Sequence, residues 1–214
     1  MGVFMKKVYL FLATFMTGLC LSVALHAETL HFDVTRDGSP IGHHIFTFSG
    51  DDNERHVDVS TRLKVKALFV TVFRYEHDRK EVWKKGKLVS LKSKTHNDGS
   101  DETLNVTREG HEFQMVNHKG IGQNIDATTT LPVTLWTSKI TDLTSLFSAL
   151  DGRNYQVAFE KVGTDTVSIN YTKVHTTHYK MTGDLERDLW YDDQNRLVKV
   201  AFMKNGSKII YIRK

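Results

Sequence analysis

Cysteine is almost absent from this 214-residue sequence, because Cys20 is the only one. Cys20 falls in an N-terminal segment that we expect to be removed, so the mature chain would contain no cysteine. Disulfides, thiolate metal sites and cysteine nucleophiles are then excluded. A protein that folds outside the cytoplasm without disulfides must be held by a hydrophobic core, which a chain of this length can supply.

The sequence also lacks the charge pattern of a nucleic-acid-binding protein. Its 29 Lys and Arg residues and 25 Asp and Glu residues give a formal net charge of +4. The two signs are interspersed along the chain and form no basic stripe, so we expect no nucleic-acid partner.

Catalytic and cofactor motifs are missing as well. There is no Gly-x-Ser-x-Gly elbow and no His-Glu-x-x-His pair. The segment Gly120-Ile121-Gly122 lacks the following helix and lysine of a phosphate-binding loop. No cofactor is predicted, and nothing in the sequence argues for an enzyme.

The one long hydrophobic run lies at the N-terminus. Lys6 and Lys7 precede an apolar stretch over residues 8–25, which ends in Leu25-His26-Ala27. This pattern predicts a signal peptide over residues 1–27, cleaved after Ala27, and a periplasmic location. The alternative is a retained membrane anchor, since the run approaches the length of a spanning helix. After cleavage we expect no stable membrane span.

The rest of the chain, residues 28–214, shows a two-residue alternation typical of half-buried β-strands. It is clearest from Val57 to Phe69, and we expect the strand to continue to Trp83. Asn205-Gly206 is the strongest hairpin signal. The pattern predicts a single all-β domain: a strongly curved antiparallel meander, forming a half-barrel or barrel-like sheet.

The alternation is interrupted in the middle of the chain. Residues 118–140 indicate an irregular crossing segment that contains Gly120, Gly122 and Pro132. One short helix is predicted near residues 142–150, capped by Thr141 or Asp142.

Polar residues on the predicted apolar face mark a candidate ligand-binding site. If Lys85-Gly86-Lys87 is a three-residue loop, the returning strand places Thr95 opposite His77 and on the same face. Aromatic rings with a few polar groups are typical of small-molecule sites. A bulge near His77 would instead turn these residues to solvent. The predicted ligand-binding residues are Tyr75, His77, Glu81, Trp83, Thr95 and Trp136.

No histidine spacing predicts a metal site. His43 and His44 point to opposite faces of a strand, so they cannot easily share an ion. A metal-assisted hydrolase would need three or more of His77, Glu81, His96 and His175 to converge. We predict no metal ligands.

Two blocks of sequence resemble an uncharacterised exported family, domain of unknown function 6134. They are Phe69-Val-Thr-Val-Phe-Arg-Tyr75-Glu-His77 with Glu81-Val-Trp83, and Gly183-Asp-Leu185 with Asp188-Leu-Trp190-Tyr-Asp192 and Arg196-Leu-Val-Lys-Val200. Leu131-Pro132 and Trp136 are similar to the family's central segment. The resemblance implies a periplasmic β protein with no established activity, and its general form is similar to the half-barrels of periplasmic lipoprotein carriers.

Three functions fit these observations. The preferred one is a module that binds an apolar or amphipathic ligand, such as a lipid, on the concave face of the sheet. The alternatives are a structural or interaction protein of the envelope with a filled core, and the metal-assisted hydrolase.

Overall fold

The computed structural model describes residues 28–67 and 69–214. The predicted signal peptide, its cleavage after Ala27 and Cys20 all concern residues outside this range. Among the described residues, no helix has the length and apolar character to cross a bilayer.

Fifteen strands make up most of the described chain and join into one sheet. They are β1 Glu28–Arg36, β2 Ser39–Gly50, β3 Glu54–Ala67, β4 Val70–Lys84, β5 Lys87–Asn97, β6 Ser100–Glu109, β7 Glu112–Asn117, β8 Gly122–Asp126, β9 Thr130–Pro132, β10 Ser145–Phe147, β11 Asn154–Ile169, β12 Thr172–Gly183, β13 Arg187–Tyr191, β14 Leu197–Lys204 and β15 Ser207–Arg213. Their order in the sheet is β8-β7-β6-β5-β4-β3-β2-β1-β15-β14-β13-β12-β11-β10-β9. All neighbours are antiparallel except the pair β9 and β10. The predicted all-β, barrel-like antiparallel meander is confirmed.

Alternation decides which residues face the barrel interior. On β3, the buried Val57, Val59 and Thr61 alternate with more exposed neighbours. These odd-numbered positions pair with odd-numbered positions of β4, such as Val57 with Glu81. The interior of the barrel is therefore lined by the odd positions of both strands.

The predicted continuous strand from Val57 to Trp83 is wrong, because the chain reverses between Ala67 and Val70. The interior positions are nevertheless the odd ones on both sides of this turn. The register shifts by one residue next to the turn, between Val65 and Lys66, and this bulge restores the matched faces. Alternation alone could not show the reversal.

The predicted helix near residues 142–150 is also misplaced. The only helical element among the described residues is a 3-10 helix, Ser138–Asp142, with Thr137 as its N-cap. The predicted helical span instead contains β10, whose three residues are all buried. A short, continuously apolar run can be a helix or a buried strand, and periodicity does not distinguish them.

The two ends of the barrel differ. We call the end with the turns at 37–38, 98–99 and 205–206 the upper end, and the opposite end the lower end. The segment around Trp136 crosses the lower end of the barrel. The indole ring of Trp136 packs there against Phe48 and Trp83. Thr137 bridges to Arg196 there. The lower end is thereby covered.

Gly42 allows β2 to bend where its pairing with β1 shifts. Its φ of +150° belongs to glycine, and a Cβ at this position would collide with the carbonyl oxygen of Arg62. This bulge increases the curvature of the sheet close to the upper end.

Candidate functional site

The structure places all six predicted site residues on the interior face of the barrel. His77, Glu81, Trp83 and Thr95 are buried, whereas Tyr75 and Trp136 are half-buried. His77 lies opposite Thr95, as predicted, and its Nδ1 is 2.8 Å from Thr95 Oγ1. The bulge near His77 that would have turned these residues outward is not found in the pairing of β4 with β5.

The turn between β4 and β5 differs from the prediction. It has two residues, Lys85 and Gly86, where a three-residue loop was expected. A register shift between Val82 and Trp83 compensates for the missing residue and brings Leu88 into the interior. Beyond this bulge the register is the predicted one, so Thr95 still faces His77.

The six residues divide into two groups at different depths. Glu81, Trp83 and Trp136 form a lower cluster together with Arg79, which the sequence did not identify as part of the site. Oε2 of Glu81 accepts hydrogen bonds from the indole N–H groups of Trp83, at 2.7 Å, and Trp136, at 3.2 Å. The Glu81 carboxylate is therefore hydrogen-bonded to both tryptophans of the cluster.

Arg79 is the counter-ion of Glu81. Its Nε lies 2.9 Å from Glu81 Oε1, and both side chains are buried. The N–H does not point at the oxygen, since neither atom has a hydrogen-bond partner. The contact is therefore an ion pair without an aligned hydrogen bond. The Glu81 carboxylate, which was predicted to orient a ligand, is thus already paired within the protein.

Interior side chains toward the upper end are less completely buried than those of the lower cluster. We call this part of the interior the upper recess and define it by five half-buried side chains, His44, Tyr75, Arg187, Phe202 and Tyr211. The rings of His44, Phe202 and Tyr211 lie close together. The ring centroid of Tyr211 is 5.5 Å from that of His44 and 6.1 Å from that of Phe202, and Tyr75 stacks on His77.

Burial keeps the histidines of this region neutral. It lowers the pKa of His77 to about 3, and the nearby charge of Arg79 contributes to the shift. Burial likewise lowers the pKa of His44 to about 3. Each ring contacts a hydroxyl, Thr95 for His77 and Thr61 for His44 at 2.6 Å. The neutral imidazoles can donate or accept hydrogen bonds without carrying charge.

Apolar side chains lie exposed around the upper end. Val70 and Val72 follow the turn between β3 and β4, and Phe69 is almost fully exposed in that turn. Met203 is exposed beside the turn between β14 and β15. These residues leave apolar side chains exposed to solvent at the upper end.

A separate groove of about 440 Å³ lies on the outer face of β2–β5. Its walls include Asp58, Asp78, Lys80 and Lys92 and contain no aromatic ring. Lys80 pairs with Asp58 across it at 2.9 Å. Because it lies on the solvated side of the sheet, we regard the upper recess as the candidate site.

The residues required by the hydrolase alternative do not converge. His96 pairs with Asp101 and His175 lies near Asp193, both in exposed positions, while His77 and Glu81 are inside the barrel. Within residues 28–67 and 69–214, no group of three or more His, Cys, Asp or Glu side chains could hold a metal ion.

Comparison with models of protein families identifies a matching family. The model of the domain of unknown function DUF6134 matches residues 32–214. The chain belongs to this family. The match confirms the resemblance found in the sequence and includes every strand from β2 to β15.

The fold of this DUF6134 member is also found outside the family. The structure is similar to a crystal structure described as a beta-barrel-like protein of domain of unknown function DUF1849 from Brucella abortus, with a TM-score of 0.61 and 12% sequence identity. The similarity covers 90% of this chain and 98% of that one. No curated protein matches the sequence. At this identity the likeness concerns the fold alone.

Sequence reasoning missed four members of the upper recess in this DUF6134 protein: His44 on β2 and three residues of the C-terminal strands. Arg187, Phe202 and Tyr211 lie on β13, β14 and β15, far along the chain from Tyr75. They reach the same interior because β15 pairs with β1, which joins the N-terminal and C-terminal strands into one sheet. Alternation in β14 and β15 could have assigned Phe202 and Tyr211 to the inner face, but no local signal predicts the β1–β15 pairing.

Proposed function

We propose that this protein binds an apolar or amphipathic ligand of the lipid class in the upper recess of its barrel, within the periplasm. The observation that carries the proposal is the burial of the recess side chains: aromatic rings and an arginine on the interior face of the barrel are only half-buried. Protein cores are packed as tightly as organic crystals, so half-buried rings on an interior face favour an occupant.

Several features support a ligand with a long apolar part. Phe202 and Tyr211 offer ring surface inside the recess, and burial of such surface stabilises a complex by about 25 cal/mol per Å². The exposed Val70, Val72 and Met203 provide an apolar rim at the same end of the barrel. The export signal expected at the N-terminus supports a periplasmic role.

The structural alternative has support in one half of the molecule. The lower cluster around Glu81 is filled and internally bonded, as expected of a packed scaffold. The side chains of the upper recess are less completely buried, which is why we favour a binding function over a purely structural one.

Native mass spectrometry tests the proposal. The full chain would be expressed with its own N-terminus, purified from the periplasm under mild conditions, and measured before and after denaturation. We expect an additional mass in the lipid range that is lost on denaturation. A bare protein mass in repeated mild preparations would count against the proposed function.

A further inference from the structure

Arg187 is the group in the upper recess whose chemistry is least explained by the fold. Its Cζ lies 4.2 Å from the centroid of the Phe202 ring. Its Nε is buried and makes no hydrogen bond. Within the described part of the chain, no carboxylate forms an ion pair with it at 4.0 Å or less. A cation held this way costs folding free energy unless something compensates it.

The contrast with Arg79 shows what is missing. Arg79 is buried in the same interior but has Glu81 at 2.9 Å. Burial lowers the pKa of Arg187, and the titratable groups that interact with it are instead three phenols, those of Tyr75, Tyr155 and Tyr211. Phenol hydroxyls can donate hydrogen bonds to an anion, but at neutral pH they cannot neutralise a guanidinium.

The surrounding groups suit an anion. Burial raises the pKa of Tyr75 and of Tyr211, so both keep their protons and remain hydrogen-bond donors. An arginine binds a carboxylate or phosphate by donating a pair of parallel hydrogen bonds. The side chain as a whole is half-buried, so part of it still contacts solvent at the upper end.

We propose that Arg187, with the hydroxyls of Tyr75 and Tyr211, binds the acidic head group of an amphiphile whose apolar chain lies along the rings of the upper recess. This inference rests on the proposed function and specifies its ligand class. The head group is a carboxylate or a phosphate ester, and the anion replaces the carboxylate partner that the fold does not supply.

Calorimetric titration with matched probes tests this assignment. Oleate, oleyl alcohol and acetate would be added to the full chain below the aggregation limit of each lipid. We expect oleate to bind at least about tenfold more tightly than oleyl alcohol, as a charge-assisted pair implies. Dodecyl phosphate would show the same preference over dodecanol if the site accepts either acid.

Variants assign the preference to one side chain. Arg187→Met should abolish the preference for oleate by weakening oleate binding at least about tenfold, whereas the binding of oleyl alcohol should change much less. Arg108→Met is the matched control, because Arg108 also lies over a ring, that of Phe113 at 5.5 Å, but outside the recess. Arg187→Met should also unfold at a higher temperature than the parent, because it removes an uncompensated cation.

The outcomes separate the two proposals. Equal binding of oleate and oleyl alcohol by the parent chain, or a preference that survives in Arg187→Met, overturns the head-group assignment and leaves the proposed function standing. Binding of acetate as tight as that of oleate overturns the amphiphile as ligand. If neither long-chain probe binds the parent, both proposals fail. Should Arg187→Met not fold, Arg187→Gln gives the same comparison, and a destabilised Gln variant contradicts the assignment.

Discussion

Replacing Glu81 by alanine should lower the free energy of unfolding by about 3–5 kcal/mol, the cost of removing one partner of a buried ion pair. The variant leaves Arg79 buried without its counter-ion. It also removes the acceptor of the indole N–H groups of Trp83 and Trp136. Urea unfolding followed by tryptophan fluorescence would measure the loss, since two of the affected side chains are themselves the reporters.

Two further variants separate the ion pair from general effects of charge. Glu54→Ala removes an exposed carboxylate that pairs with Lys84, and we expect little change in the unfolding midpoint. The double variant Arg79→Met/Glu81→Leu should regain the part of the loss that comes from the unpaired Arg79, because apolar side chains can replace a buried ion pair at little cost. A Glu81→Ala protein as stable as the parent would contradict the description of the lower cluster.

Acidification from pH 7 to pH 5 should destabilise the protein through its interior histidines. The pKa of His77 is about 3 in the folded state and near 6.5 when unfolded, so the unfolded chain binds more protons between these values. The contribution of neutral His77 to stability is therefore fully present above pH 6.5 and is lost progressively as the pH falls toward 3. At pH 5 His77 alone should cost about 2 kcal/mol, and His44 adds a contribution of the same sign.

On balance, the charged groups around His77 lower its pKa, as its burial does. Arg79 on its own strand and Arg62 on β3 lower its pKa, and only Asp78 raises it. On the neighbouring strands, Thr95 contacts the His77 ring and Thr61 lies opposite His77, and neither side chain titrates.

A substitution at His77 isolates its part of the pH dependence. His77→Asn keeps a polar group near Thr95 but binds no proton, so the loss between pH 7 and pH 5 should shrink by about 2 kcal/mol. His96→Asn is the control, because His96 lies near the surface beside Asp101, and the loss should stay as in the parent. An unchanged loss in His77→Asn would show that its imidazole does not titrate as described.

The strands could be predicted from the sequence because their periodicity is local. The alternation from Val57 to Ala67, the hairpin at Asn205-Gly206 and the placement of His77 opposite Thr95 follow from a two-residue repeat and turn residues. The interior position of Glu81 followed from the same repeat. What it does there did not, because Arg79 had been assigned no role and Trp136 reaches Glu81 from 55 residues away.

The errors occur where position depends on contacts distant in sequence. The reversal at residues 67–70 has no proline or glycine, so the apolar run gave no sign of a turn. The segment 145–147 is a strand because β9 and β11 lie on either side of it. Arg187 lies in the recess because the pairing of β1 with β15 joins the C-terminal strands to the N-terminal ones. None of these arrangements leaves a local pattern.

Photo-crosslinking tests the location of the ligand most directly. A fatty acid with a diazirine in its chain would be irradiated with the full protein, and the modified peptides would be mapped by mass spectrometry. We expect labels on the upper parts of β4, β14 and β15, near Tyr75, Phe202 and Tyr211, and we expect excess oleate to remove them. Labels confined to the outer groove near Lys80 and Lys92, or unaffected by oleate, would contradict a binding site inside the barrel.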